Sequence, residues 1–445
     1  MIRLFDTFSR EIKDFKPIEE GKVGIYSCGP TVYDYPHIGN LRAYIFSDVL
    51  RRVFEFNNYD VKQVMNITDV GHLTSDADTG EDKIEKGAKR EHKSAREIAD
   101  FYTGVFLENI KELNIEKPSY LPKATDHIQE QIDLIKRLKE KGYTYNTSDG
   151  VYFDTSKFPD YGRLARLDIE GLKAGSRVDM KEKKSPTDFA LWKLSIVGEQ
   201  RQMEWDSPWG KGYPGWHLEC SAMSMKYLGS TFDIHTGGID HIPVHHTNEI
   251  AQSEAATGKP LANYWMHSEF LQVQGEKMAK SAGTFITLSE IKKKGIDPLA
   301  FRYLCLEAHY RSKIDFSFES LEGAQKGLQG IRDLAYRQEP SEAGEEASNR
   351  VLEAFNDDLD TPKALALLHK ENNVNLWLKF DPILGLNLAK KEVELTKEQE
   401  AKISEREEAR KNGDFEKSDK IRKELEKEGI TIEDTENGTR ILSSY

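Results

Sequence analysis

The first clear pattern along the chain is a compact apolar run, KVGIYS at 22–27, closed by the turn Cys28-Gly29-Pro30. A short apolar run bounded by glycine and proline predicts a buried strand. After His37-Ile38-Gly39 the period changes. Leu41, Ile45 and Val49 recur every fourth position through LRAYIFSDVLRRVFEF, which predicts an amphipathic helix. A second strand is expected at Val61–Ile67. Strand, glycine turn, helix and strand make a βαβ unit, and so a parallel sheet with ligands at its strand ends. Residues 126 to 195, with alternating stretches such as GVYFD, read as an α/β insertion. The first pattern resumes near 200 with WDSPWG, GWHLECSAMSMKYLG and FDIHTGGID, and NEIAQSEAA reads as helix. From about 315 the period is helical, with EPSEAGEEAS (339–348) expected as a loop or interhelical linker. Residues 395–428 are charged and helix-forming, and ITIEDTENGTRIL reads as a β-hairpin. The class is α/β: a doubly wound parallel sheet split by an insertion, then a helical bundle, then a small C-terminal α+β domain.

Composition narrows the picture. The 445 residues suffice for several domains and a large core. No apolar run approaches the roughly 18 residues a membrane span needs, and the N-terminus carries charge where a signal peptide would be apolar. Cysteines occur only at 28, 220 and 305, a sparse, odd set that points to a reducing cytoplasm. The net charge of −13 excludes a simple basic nucleic-acid coat, though not a local basic patch.

Three constellations carry chemistry. His37-Ile38-Gly39-Asn40 stands at a strand-to-helix turn, where backbone N–H groups and the helix dipole favour phosphate. His37 can donate to a phosphate oxygen, and Gly39 lets a purine approach closely. Lys277-Met278-Ala279-Lys280-Ser281 follows the strand-like FLQVQ; Lys277 and Lys280 can flank a triphosphate and stabilise charge on departing pyrophosphate. Taken alone, each also reads as a helix cap or a solvated turn. In the third, Cys28 ends the first strand, Cys220 lies in GWHLEC, and His245 and Glu249 stand one helical turn apart. Two thiolates, an imidazole and a carboxylate make a tetrahedral metal set. The spacing equally allows two core cysteines beside an unrelated histidine, and His246 rivals His245.

HIGH-like and KMSKS-like segments in this order resemble class I aminoacyl-tRNA synthetases. YSCGPTVYDYPHIGN, MNITDV, DFALWK, WDSPWGKGYPGWHLECSAM, FDIHTGGID, HHTNEIAQSEA and NYWMHS resemble the cysteinyl-tRNA synthetase family in particular, and FNDDLDTPKAL and the C-terminal segment extend the likeness. The resemblance implies a Rossmann catalytic domain in two halves (1–125 and 201–258) around a connective insertion (126–200). A KMSKS-loop and stem-contact region (259–318), a helical bundle (319–390) and an anticodon-binding region (391–445) follow. It implies a cytoplasmic, monomeric enzyme that activates L-cysteine with ATP and Mg2+, charges tRNA(Cys), and holds one Zn2+ through Cys28, Cys220, His245 and Glu249. His37, Asn40, Lys277 and Lys280 would be catalytic. ATP would also meet Gly39, Gly237, Gly238 and Asp240, and the amino acid would meet Thr68, Trp216 and His235. Trp216 and Trp265 fit the core equally well, and Cys305 reads as core.

The chain departs from the family pattern at Asn40, where a second histidine is usual, and at Ala279, Thr236 and Thr247; none removes a proposed zinc ligand. Its C-terminal region also looks short. A related ligase joining cysteine to an amino sugar lacks that region, and an inactive tRNA-binding paralogue would have lost the lysines and ligands. The acidity proves local: residues 339–360 hold eight acids and one base, whereas 83–96 hold six bases and two acids. Residues 83–96 and Lys292–Lys294 are therefore candidate phosphate contacts.

Overall fold

The protein is described from a computed structural model covering residues 1–70, 82–167, 182–195, 201–273, 275–277, 285–337, 344–388, 395–428, 430–435 and 438–443. The chain forms two compact units. One comprises Met1–Ile331 with Glu339–Asn387; the other comprises Arg332–Gln338 with Leu388–Tyr445.

The first unit is built on a four-stranded sheet of β1 (Lys22–Ser27), β2 (Asp60–Met65), β3 (Phe232–Gly238) and β4 (Ala262–Ser268). The order is β4-β3-β1-β2 and every pairing is parallel. Parallel strands covered on both faces read as apolar runs, and Val23, Ile25, Tyr26, Val64 and Ile234 are all buried. Helix α1 (Ile38–Phe56) crosses from β1 to β2 and buries Leu41, Ile45 and Val49, as their period predicts. α2 (Trp216–Leu228) and α3 (Thr247–Thr257) lead into β3 and β4. The second strand stops at Met65, short of the expected Ile67. Beyond it the backbone bonds to loops: Ile67 N–H to the Pro122 carbonyl and Thr68 N–H to that of Pro30.

The segment expected as an insertion contributes the helix Ile128–Glu140 and the strands Thr144–Thr147, Gly150–Phe153 and Phe189–Leu194 of an antiparallel sheet, which Gly212–Pro214, beyond the expected end at 200, completes. Phe153, Phe189, Leu191 and Trp192 pack into one core with Leu218 of α2 and Ala251 of α3. This sheet therefore braces the two helices that carry the site. After the sheet domain come the helices Pro298–Leu306, Glu345–Asn356, Thr361–Glu371 and Val374–Leu384. The linker expected at 339–348 is corrected at its end: Glu345–Ser348 already belong to a helix. Glu345 and Glu346 occupy its first turn, where the exposed N–H groups favour acids. Residues 338–343 lie outside the described residues.

One polar knot lies inside the first unit. Asp48 of α1 pairs with Arg52 at 2.8 Å and with Arg302 at 2.6 Å. Arg302 is fully buried and donates to the Leu384 and Leu113 carbonyls.

The second unit contains the helices Lys397–Lys411 and Phe415–Lys427 and the hairpin Ile430–Thr435 with Gly438–Ser443. Ile403, Ile421, Leu425, Ile430 and Ile432 form its core. Among the described residues no helix is long and apolar enough to cross a membrane.

Candidate active site

Ligand sites of open α/β sheets lie beyond the carboxyl ends of the strands. Cys28 follows β1 directly and its N–H bonds to the Thr236 carbonyl of β3. Gly29 is obligatory there, because a Cβ would meet the Asn66 carbonyl oxygen at 1.8 Å. Cys220 comes from the second turn of α2. A π-turn over Ile242–His246 delivers His245 and His246, and Glu249 sits in the first turn of α3.

The ligand atoms of Cys28, Cys220, His245 and Glu249 all lie within 4.8 Å of one another. So do those of Cys28, His235, His246 and Glu249, so the rival histidine is in the cluster too. Both rings reach Glu249, His246 Nε2 standing 3.9 Å from Oε1, and they differ in their closer partners. His246 bridges Cys28 Sγ (3.2 Å) to His267 Nε2 (2.7 Å), and His267 continues to the Thr7 hydroxyl at 2.8 Å. His245 Nε2 faces Glu249 Oε1 at 3.0 Å, while His235 Nε2 takes Oε2 at 2.9 Å. Sequence reasoning assigns no role to His217, His241 or His246. His217 Nδ1 lies 2.9 Å from His245 Nδ1, and a Cβ on Gly237 would strike His241 and His246.

The electrostatics follow from burial without a fixed cation. Burial pushes the Glu249 carboxyl up, yet His235 and His245 hold it at about 2. Burial likewise works to lower His245, but Glu249 and Cys28 lift it to about 10. Burial drops His246 to about 4. Burial would raise the Cys28 thiol, but the hydrogen bond with Cys220 and the nearby histidines hold it well below the usual thiol value. Two thiols, imidazole and a buried carboxylate, converging with no lysine or arginine among these partners, fit a borderline-soft divalent cation.

The other predicted residues surround this cluster. Trp216 caps it, its ring 4.4 Å from that of His245. Trp265 stacks on His235 at 4.6 Å and is 2 % exposed, so it backs the pocket from the core. Thr68 donates to Glu219 Oε1 at 2.6 Å. Sequence reasoning misses Glu219: its pattern is that of an ordinary acid early in a helix, yet it is buried. Burial raises its pKa, and Oε2 has no hydrogen-bond partner among the described residues. Cys305 is buried core, its thiol pushed up to about 12 by burial.

At the start of α1, His37 is the N-cap. Its ring accepts the Asn40 N–H and the Asn40 side chain accepts the His37 N–H. Asn40 thus closes a capping box. The segment after the lysine motif returns to this turn: the Ile38 N–H bonds to the Ile286 carbonyl, Thr287 bridges to His37, and the Phe285 ring stands 5.4 Å from the His37 ring. Glu276–Lys277 forms a strand against Gln272 and Val273. Residues 278–284, with Ala279 and Lys280, lie outside the described residues. Gly237 and Gly238 end β3, and Asp240 stands in the following turn.

Comparison with known proteins decides the family. Residues 14–326 match the model of the class I (C) tRNA synthetase catalytic domain, and residues 392–441 that of the cysteinyl-tRNA ligase anticodon binding domain. The chain belongs to the cysteine–tRNA ligase family. It is 53 % identical to cysteine–tRNA ligase 1 of Burkholderia lata, over 99 % of this chain and 97 % of that one. The cysteine–tRNA ligases of Treponema denticola (97 % and 98 % covered) and Thermococcus gammatolerans (98 % of both) are 45 % and 42 % identical. A methionyl-tRNA synthetase of Mycobacterium tuberculosis, solved with methionyl-adenylate, shares the fold: TM-score 0.56, 14 % identity, 86 % of this chain and 84 % of that one.

Proposed function

We propose that the chain makes cysteinyl-adenylate from L-cysteine and ATP, then transfers the cysteinyl group to tRNA(Cys). The observation that carries this reading is the convergence of Cys28, Cys220, His245 and Glu249 within 4.8 Å at the carboxyl end of the sheet. These four would hold zinc. A bound zinc ion supplies a soft acceptor for a thiolate, which a serine hydroxyl matches poorly. Shape alone separates two near-isosteres weakly, so this donor set gives the selectivity a physical origin. Thr68, Trp216 and His235 line the amino-acid side.

The nucleotide lies along the N-terminus of α1. Gly39 admits the purine, Gly237, Gly238 and Asp240 receive the adenosine, and His37 and Asn40 face the phosphates. The cysteine carboxylate attacks the α-phosphorus of ATP-Mg2+, and pyrophosphate leaves. Lys277 and Lys280 neutralise its charge. The terminal ribose hydroxyl of the tRNA then attacks the adenylate carbonyl and AMP departs. Positioning and charge stabilisation suffice, and no protein nucleophile is required.

Cysteine-dependent ATP–pyrophosphate exchange, followed by transfer of labelled cysteine to tRNA, tests the sequence of steps. Both are expected. Absence of exchange would refute the reading, and exchange with transfer only to an amino sugar would replace it.

A further inference from the structure

Tyr35 and Phe101 are each 43 % exposed, and they stand together. Their ring centroids are 6.3 Å apart, and both pack edge-on against Tyr102, at 5.2 and 5.1 Å. Tyr102 is 3 % exposed and its hydroxyl donates to Glu91, so the exposed pair rests on a fixed base. Single exposed apolar residues are ordinary on soluble proteins. A supported aromatic pair beside cations is a different surface. Lys93 Nζ lies 4.8 Å from the Phe101 ring centroid and pairs with Glu91 at 3.4 Å, and Arg90 pairs with Asp34 at 3.6 Å and Glu91 at 2.8 Å. The acids of the patch, Asp34 and Glu91, are thus engaged by its own cations and by Tyr102. The surrounding segment 83–96 carries six bases against two acids. Tyr35 is also two residues from His37, the N-cap of α1.

We propose that the Tyr35–Phe101 pair, flanked by Lys93, is a stacking surface for the unpaired 3′ end of the tRNA as it approaches the adenylate. This inference rests on the function proposed above. Aromatic faces with adjacent cations bind single-stranded nucleic acid by stacking bases and attracting phosphates, largely without regard to sequence. The position suits such a role, because Tyr35 lies two residues before His37, at the turn proposed above to face the phosphates.

The test compares the full-length protein with Phe101→Ala, Tyr35→Ala and Phe101→Trp. Each is assayed for binding of intact tRNA(Cys), binding of the same tRNA trimmed of its unpaired 3′ nucleotides, single-turnover transfer, and pyrophosphate exchange. The two alanine variants should bind intact tRNA roughly 5- to 100-fold more weakly, the range for one lost base–aromatic stack. Their transfer should slow in parallel, while trimmed tRNA binds as to the unaltered protein. Phe101→Trp should retain binding and transfer. Equal weakening for intact and trimmed tRNA would overturn the proposal, as would unchanged binding, or loss of pyrophosphate exchange in the variants. Failure of exchange in the unaltered protein would instead refute the function on which the proposal rests.

Discussion

Asp6 is 1 % exposed, and its carboxylate accepts from the Phe8, Ser9 and Trp265 N–H groups, the Ser9 hydroxyl and Lys13. It pins the first segment of the chain to β4, the strand that presents Trp265 to His235. Burial alone would raise its pKa, but Lys13 and the backbone donors hold it below the usual carboxylate value. A depressed folded-state pKa stabilises the fold above the unfolded-state value and loses that contribution as pH falls through the folded one. Asp6→Asn should therefore destabilise the protein near neutral pH by about 1–3 kcal/mol, the cost of mismatched buried donors. The difference in unfolding midpoint between the two proteins should shrink below roughly pH 4. Thermal melts across pH check this, and a gap independent of pH would contradict it. At this scale the sequence is only partly legible. Cys28, Cys220, His245 and Glu249 are readable as a donor set, but 245 and 246 are adjacent, and spacing assigns neither. The structure brings both into the cluster, and the partner that sets His246 apart, His267, comes from another strand. Glu219 is illegible for a like reason: its buried hydrogen-bond partner, Thr68, comes from a segment about 150 residues away.

At the scale of elements, the apolar period of α1 is plain in the sequence, yet its buried face also carries Arg42, Asp48 and Arg52. By sequence, Asp48 and Arg52 make an ordinary i, i+4 surface pair. Their burial follows from Arg302, which lies 250 residues further on and joins Asp48 from the helix Pro298–Leu306. Gly385 completes the packing: its φ is +65°, and a Cβ there would approach Arg302 Nη2 to 2.6 Å. Removing one partner from a buried ion pair leaves an uncompensated charge, at a cost of about 3–5 kcal/mol. Asp48→Ala, which strands the buried Arg302 while Arg52 keeps Glu116 at 3.2 Å, should lose stability of that order in denaturant unfolding; a loss under about 1 kcal/mol would show the knot to be energetically idle. The early end of β2 is illegible because Asn66, Ile67 and Thr68 keep an apolar-polar alternation while their backbone turns to loop partners.

At the scale of the whole molecule, the α/β order is legible from changes of period: 2 in strands, 3.6 in helices, with glycine turns between. Less legible is the insertion's role. The antiparallel sheet it helps build ends at Pro214, one residue before Gly215, the N-cap of α2, so the segment GYPGWHLEC passes directly from bracing sheet to donor-bearing helix. The apolar core shared by Trp192, Leu218 and Ala251 fixes the two helices whose side chains close on Cys28. The donor cage proposed to select cysteine is thus assembled from segments about 220 residues apart, Cys28 after β1 and Glu249 on α3. The most direct test is zinc content measured together with cysteine-dependent ATP–pyrophosphate exchange, in the native protein and in Cys220→Ser. The native protein should hold one zinc per chain and exchange with cysteine, and Cys220→Ser should lose metal and exchange in step. A native protein free of zinc, or a variant that loses its zinc and still exchanges at the native rate, would contradict the account.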